Sequence, residues 1–150
     1  MKRSEVNAIM REAIAFCEER RFVLPRFAFW SLDDWRRRRA DAQEIVDCGL
    51  GWDITDFGLG RYEEKGLFLF TIRNGHPRDK EKYPKPYCEK LLIAKERQVT
   101  PMHFHWSKVE DIINRGGGDL VIELYNSTKE GKLADTPVTA VCDGVKRTVP

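Results

Sequence analysis

The arrangement of hydrophobic residues in this sequence changes near residue 47, and that change limits the folds it can adopt. From residue 3 to about residue 20, apolar side chains recur every three or four positions, the period of an α-helix with one buried face. The same period returns from Leu32 to about Val46. Beyond that point the apolar runs are short and are separated by glycine, proline, asparagine and aspartate. The sequence therefore predicts a mainly β domain in which a helical arm at 1–46 precedes a β-rich portion at 47–150.

Capping and turn residues mark the ends of these elements. Ser4 and Ser31 stand where helix N-caps are expected, and Asp143-Gly144 is a dipeptide that favours a tight hairpin turn. The stretch 76–86 carries many charges and three prolines, which predicts a surface loop. The predicted β segments are 51–57, 66–73, 87–94, 100–106, 111–114, 120–125 and 138–149.

The charge balance excludes several classes of partner. Lysine and arginine number 26 against 24 acidic residues, so a formal net charge of +2 gives no general attraction to nucleic acid or anionic membrane. The one basic run, residues 36–39, lies among aspartates and reads as a solvated helix face. No stretch approaches the roughly 18 consecutive apolar residues of a membrane span. We therefore expect a cytoplasmic protein that binds neither nucleic acid nor membrane.

Three metal-capable side chains lie within eight residues of one another. His103 and His105 are two apart, so they point to the same face of an extended chain. If the chain reverses after Trp106, Glu110 returns beside them and completes a set of two histidines and one carboxylate. Such a set suits a divalent transition metal, and the ligand types alone do not choose among manganese, zinc, cobalt, nickel and iron.

The spacing His-x-His-x4-Glu-x6-Gly, ending at Gly117, resembles the first signature motif of the cupin superfamily. Arg97 stands where that motif has a glycine. The segments 89–93, 101–105 and 108–118 together resemble the D-lyxose isomerase family of sugar-isomerising cupins. The similarity extends over nearly the whole chain.

This resemblance implies a fold and an activity. The expected fold is a cupin-type jelly-roll β-sandwich or barrel with N-terminal α-helices. The expected reaction is a metal-dependent aldose–ketose isomerisation that interconverts D-lyxose with D-xylulose and D-mannose with D-fructose. The resemblance also implies manganese as the ion, a sugar as the substrate and a homodimer as the assembly.

One family feature is missing from the sequence. Cupins have a second motif that supplies another metal-binding histidine, and no histidine follows His105 in this chain. His76, in the proline-rich loop, does not match that ligand. We therefore expect residues 1–150 to be incomplete at the C-terminus, with the last ligand outside them and with doubt whether a chain ending at Pro150 is active alone.

Isomerisation also needs a group that moves a proton, and three residues are candidates to contact the sugar. Lys108 lies in the turn between the predicted ligand strands, while Lys90 and Glu123 lie on strands predicted to flank them. Two other functions stay open. Two histidines and a carboxylate also serve non-haem iron oxygenases, and a cupin can bind sugar without catalysis.

Overall fold

The structure, a computed structural model, describes residues 1–149, and Pro150 lies outside them. The chain divides into two compact units, Met1–Pro101 and Met102–Pro150. The first unit contains α1 (Arg3–Glu19), a 3-10 helix (Arg26–Phe29), α2 (Leu32–Arg38), α3 (Gln43–Asp47), β1 (Gly51–Thr55), β2 (Leu67–Arg73) and β3 (Glu89–Ile93). The second contains β4 (Asn126–Ser127), β5 (Leu133–Ala134), β6 (Val138–Cys142) and β7 (Val145–Val149). The division at residue 46 within a single domain stays a prediction.

The first helix confirms the predicted helical period. Ile9, Ala13 and Cys17, four residues apart, are its buried positions. The predicted N-cap is wrong, because Ser4 lies inside the helix and Lys2 precedes it. The Lys2 backbone N–H donates to Glu5 Oε2 at 2.6 Å, so a carboxylate of the first turn satisfies this end of the helix.

The second predicted helix is interrupted. Ser31 caps α2 as predicted: its Oγ accepts from the Asp34 N–H at 3.2 Å, and Asp34 Oδ2 accepts from the Ser31 N–H at 3.1 Å. The prediction of one helix to Val46 is wrong, because α2 ends at Arg38 and α3 begins at Gln43. The intervening turn follows the run of arginines, and Ala42 is the one buried side chain within residues 39–42, so little apolar surface favours continuing the helix there.

The first unit is built around an antiparallel sheet of order β1-β2-β3. Phe68 and Phe70, alternate residues of β2, are its two fully buried large side chains among the described residues. Phe68 packs with Ile9 and Ala13 of α1, and Phe70 with Cys17. Side chains at every second position of β2 and at every fourth position of α1 thus pack together in one core. The predicted strands at 51–57, 66–73 and 87–94 are confirmed.

Aromatic side chains extend this core toward the 3-10 helix. Trp52 lies edge-on to Phe70, with ring centroids 4.7 Å apart, and its Nε1–H donates to the Ala28 carbonyl at 2.8 Å. Phe27 also stacks on Phe70, with ring centroids 5.4 Å apart. The indole N–H of Trp52 therefore has a hydrogen-bond acceptor, while its rings pack in the core.

The loop 74–88 between β2 and β3 is joined to α3 by a hydrogen bond and an ion pair. Tyr83 is buried, and its hydroxyl donates to Asp47 Oδ2 at 2.6 Å. Lys85 forms an ion pair with Glu44. The loop also closes on itself, because a Cβ at Gly75 would overlap the carbonyl oxygen of Lys85.

The second unit consists of two antiparallel hairpins, β4–β5 and β6–β7. The hairpin predicted at 138–149, with its turn at Asp143-Gly144, is confirmed. The strands predicted at 100–106, 111–114 and 120–125 are wrong. A strand needs a neighbour that completes its hydrogen-bond ladder, and no described segment pairs with these residues.

Antiparallel strands in small sheets agree with a mainly β fold, and the helices are few. The cupin jelly roll itself stays a prediction. Within residues 1–149, none of the helices has the length and apolar content needed to cross a membrane.

Candidate metal centre

The two candidate histidines lie on a segment that belongs to no helix or strand. The rings of His103 and His105 approach each other edge to face, with centroids 5.1 Å apart. Phe104 and Trp106 form a second edge-to-face pair at 4.7 Å. Side chains two apart therefore contact one another, which is the alternation that the sequence predicts.

Glu110 lies beside His105 although no strand pairing returns it there. Glu110 Oε2 is 3.6 Å from His105 Nε2, and both side chains are about 40% exposed. The chain bends at residues 106–107, and no ladder between neighbouring strands joins His105 to Glu110. The structure thus brings an imidazole nitrogen and a carboxylate oxygen to one place by a different route from the expected one.

Lys108 occupies the space between these two groups. Its ammonium forms an ion pair with Glu110 Oε1, and its Nζ is 3.4 Å from His105 Nε2. The hydrogen bond from Lys108 lowers the pKa of Glu110, burial opposes that shift, and the charges of Lys108, His105 and His103 lower the pKa further. Glu110 is therefore held as a carboxylate, the form that binds metal.

The donor set fits a divalent cation by its chemistry. Two imidazoles and one carboxylate are ligands for a transition metal, and the Lys108 ammonium already places a positive charge between His105 and Glu110. In the part of the chain that the structure describes, no three histidine, cysteine, aspartate or glutamate side chains are yet arranged to hold an ion. Glu110 Oε1 is already paired with the Lys108 ammonium, so a cation would compete with Lys108 for that oxygen.

The other candidate residues lie elsewhere. Lys90 is exposed on β3 in the first unit, where it pairs with Thr71 of β2. Glu123 is exposed and lies outside every strand, so its predicted strand position is wrong. His76 lies in the loop 74–88, where its Nδ1 accepts from the Asp79 N–H at 2.7 Å.

Sequence reasoning missed a groove next to His103. It has a volume of about 420 Å³, and its polar lining is His103, Tyr125, Asn126, Ser127 and Lys132. The hairpin β4–β5 supplies much of this lining. Gly131, three residues after the pair Ser127-Thr128, is the turn signal from which the hairpin could have been predicted.

Comparison with known proteins identifies the family. The family model described as D-lyxose isomerase matches residues 1–150. The chain belongs to the D-lyxose isomerase family. It is similar to a D-lyxose/D-mannose isomerase of Serratia proteamaculans, with 48% identity over 99% of this chain and 65% of that protein. A D-lyxose/D-mannose isomerase of Escherichia coli O157:H7 is 44% identical over 98% of this chain and 65% of its own length. The chain thus spans about two thirds of the length of these members of the D-lyxose isomerase family.

Proposed function

We propose that this protein is a metal-dependent sugar isomerase that interconverts D-lyxose with D-xylulose and D-mannose with D-fructose. The observation that carries the proposal is the approach of Glu110 to His105, 3.6 Å apart, in a member of the D-lyxose isomerase family. The names of the two relatives support the choice of sugars.

His103, His105 and Glu110 would hold the ion, which we propose to be manganese. When bound, a divalent ion supplies Lewis-acid polarisation of the sugar carbonyl and stabilises negative charge on neighbouring oxygens. Glu110 contributes the one negative charge of the set, and the two histidines contribute neutral donors. Zinc, cobalt, nickel or iron would satisfy the same donors.

The groove beside His103 would receive the open-chain sugar. Its volume of about 420 Å³ exceeds that of a hexose, and Tyr125, Ser127 and Lys132 offer hydroxyl and ammonium groups to a polyol. Met102 and Phe104 provide apolar surface that limits the water around the reacting carbons. The groove would therefore orient the chain of hydroxyls while the carbonyl end lies toward His103.

Proton transfer between the two reacting carbons needs a base, and Lys108 is our first candidate. It already lies against His105 and Glu110, so a Lys108 side chain displaced by the ion and deprotonated to the neutral amine would remain near the bound sugar, where it could take the proton from one carbon and return it to the other. Lys90 and Glu123 stay candidates from the sequence alone. The cupin jelly roll, the homodimer and the cytoplasmic location also stay predictions.

The test is an isomerase assay with controlled metal content. Protein stripped of metal and reloaded with manganese should form D-xylulose from D-lyxose and D-fructose from D-mannose, and chelation should abolish both reactions. Glu110→Gln should lower the manganese affinity about tenfold or more, because it removes the only anionic ligand. Asp111→Asn is the matched control, since it removes a neighbouring exposed carboxylate and should leave the affinity unchanged.

Other outcomes would redirect the proposal. Turnover that is unchanged after exhaustive chelation would remove the metal from the mechanism. Oxygen consumption with reducing substrates in the iron-loaded protein would favour the oxygenase. Sugar binding without ketose formation would favour a non-catalytic cupin.

A further inference from the structure

The turn that joins β4 to β5 is fixed by its own hydrogen bonds. The Thr128 N–H donates to the Lys132 carbonyl at 2.8 Å, and the Gly131 N–H donates to the Thr128 carbonyl at 3.0 Å. Thr128 Oγ1 accepts from the backbone N–H groups of Glu130, at 3.2 Å, and Lys132, at 3.3 Å. These four bonds define residues 128–132 as a small preorganised element of the second unit.

Gly131 is the point where this turn contacts the segment that carries the histidines. A Cβ at this position would lie 2.9 Å from Phe104 Cζ, 3.4 Å from Phe104 Cε1 and 3.5 Å from Trp106 Cη2. Its φ of +75° is also a conformation that other residues rarely adopt. Glycine is therefore favoured here for two reasons: it leaves room for the Phe104 ring, and it adopts a positive φ readily.

The Phe104 ring transmits this contact to the candidate ligands. Phe104 lies between His103 and His105 in the chain, and its ring is held between the turn and the indole of Trp106. Because its two neighbours in the chain carry the imidazoles, a change at Phe104 that reaches the backbone would also shift His103 and His105. The rings of these two histidines lie 5.1 Å apart, centroid to centroid.

We propose that the 128–132 turn positions the metal-binding segment, and that Gly131 is a positioning residue because it seats the Phe104 ring. This inference rests on the proposed metal binding by His103, His105 and Glu110. It assigns a role in metal affinity to a residue that lies outside the ligand set, as supporting groups of metal sites commonly do.

The experiment compares two glycines in the same unit. Gly131→Ala and Gly144→Ala introduce the same methyl group at similar backbone angles, with φ of +75° and +79°. At Gly144 a Cβ meets nothing within 4 Å. Calorimetric titration of manganese should show an affinity loss of roughly tenfold or more for Gly131→Ala, as for other supporting residues of metal sites, and no loss for Gly144→Ala.

A second variant separates positioning from general destabilisation. Phe104→Leu removes Cζ and Cε1, the two atoms that the new methyl group would contact most closely. Adding Phe104→Leu to Gly131→Ala should restore the manganese affinity to within about twofold of Phe104→Leu alone, because the steric conflict is gone. If Gly131→Ala alone does not fold, the manganese affinity of the double variant can still be compared with that of Phe104→Leu.

Equal affinities for Gly131→Ala and Gly144→Ala would overturn the role of Gly131 and leave the proposed function intact. A double variant that binds as weakly as Gly131→Ala would overturn the positioning by Phe104. If the unsubstituted chain binds no manganese, the metal-dependent function and this inference both fail.

Discussion

The Tyr83 hydroxyl donates to Asp47 Oδ2 at 2.6 Å and joins the loop 74–88 to the end of α3. Gln43 Nε2 donates to Oδ1 of the same carboxylate at 2.6 Å, and Lys82 Nζ lies 3.1 Å from Oδ2. The hydrogen bonds from Tyr83, Gln43 and Lys82, in that order, lower the pKa of Asp47 to about 2. Three donors from two elements therefore converge on one ionised side chain.

This carboxylate predicts acid sensitivity of the first unit. The folded pKa of Asp47 lies below the unfolded value of about 3.9, so its contribution to stability is present above pH ~4 and is lost as the pH falls toward 2. Asp47→Asn should flatten the dependence of unfolding free energy on pH between these values. Denaturant unfolding at several pH values measures the slope. Asp41→Asn is the control, because Asp41 is an exposed aspartate that lies outside this set of hydrogen bonds, and an equal flattening there would contradict the assignment.

The two serines near helix starts predict different costs of substitution. Ser31→Ala removes the oxygen that accepts from the Asp34 N–H and should lower the unfolding free energy by about 1 kcal/mol. Ser4→Ala should have little effect or a slightly stabilising one, since Ser4 lies within α1 and alanine favours helix. Chemical denaturation of both variants decides between them. A larger loss for Ser4→Ala would mean that α1 begins later than the structure places it.

The two faces of the sheet predict a contrast between Phe70 and Leu92. Phe70 is fully buried, so Phe70→Ala should cost ~3–5 kcal/mol of unfolding free energy. Leu92 is 56% exposed, and Leu92→Ala should stay within about 0.5 kcal/mol. Thermal and denaturant unfolding measure both variants. Similar losses for the two would show that another segment covers the exposed face in solution.

The ion pair of Lys108 with Glu110 predicts that the Lys108 ammonium competes with a metal ion for this carboxylate. Its ion pair with Glu110 is about 40% exposed, a setting in which such pairs contribute about 0.2–1 kcal/mol. Lys108→Gln removes the competitor and should raise the manganese affinity by up to about fivefold. Calorimetric titration gives the affinity, and Lys146→Gln is the control at an exposed lysine of β7, outside the 128–132 turn. A lower affinity after Lys108→Gln would contradict the competition.

The sequence predicts best the elements whose partners are also in the described residues. The helical period of Ile9, Ala13 and Cys17 and the alternation of Phe68 and Phe70 specify opposite sides of one core, and both patterns are confirmed. The pattern at 100–125 is equally β-like, but its apolar side chains are exposed; Val109 is 95% exposed. The periodicity of apolar residues predicts which face of a segment can be buried. It does not predict which other strand pairs with that segment, and without such a strand no ladder of hydrogen bonds forms.

The candidate site shows the same limit at the scale of side chains. The spacing of His105 and Glu110 predicts their approach, which the structure shows at 3.6 Å. The pattern does not predict that Lys108 lies between them, because a lysine in a turn reaches in any direction and only local geometry selects one. Nor does it predict the contact of Phe104 with Gly131, which joins residues far apart in sequence.

The closure of the loop 74–88 at Gly75 and Lys85 also has a consequence for the assembly of the sheet. The entropy cost of bringing two strands together grows with the length of free chain between them. Where the backbone at 75 touches that at 85, the intervening residues form a side loop, and the chain that links β2 to β3 is in effect only a few residues long. A side chain at position 75 would separate these two backbone segments and lengthen the free chain between the strands, so a single methyl group there should slow the pairing of β2 with β3.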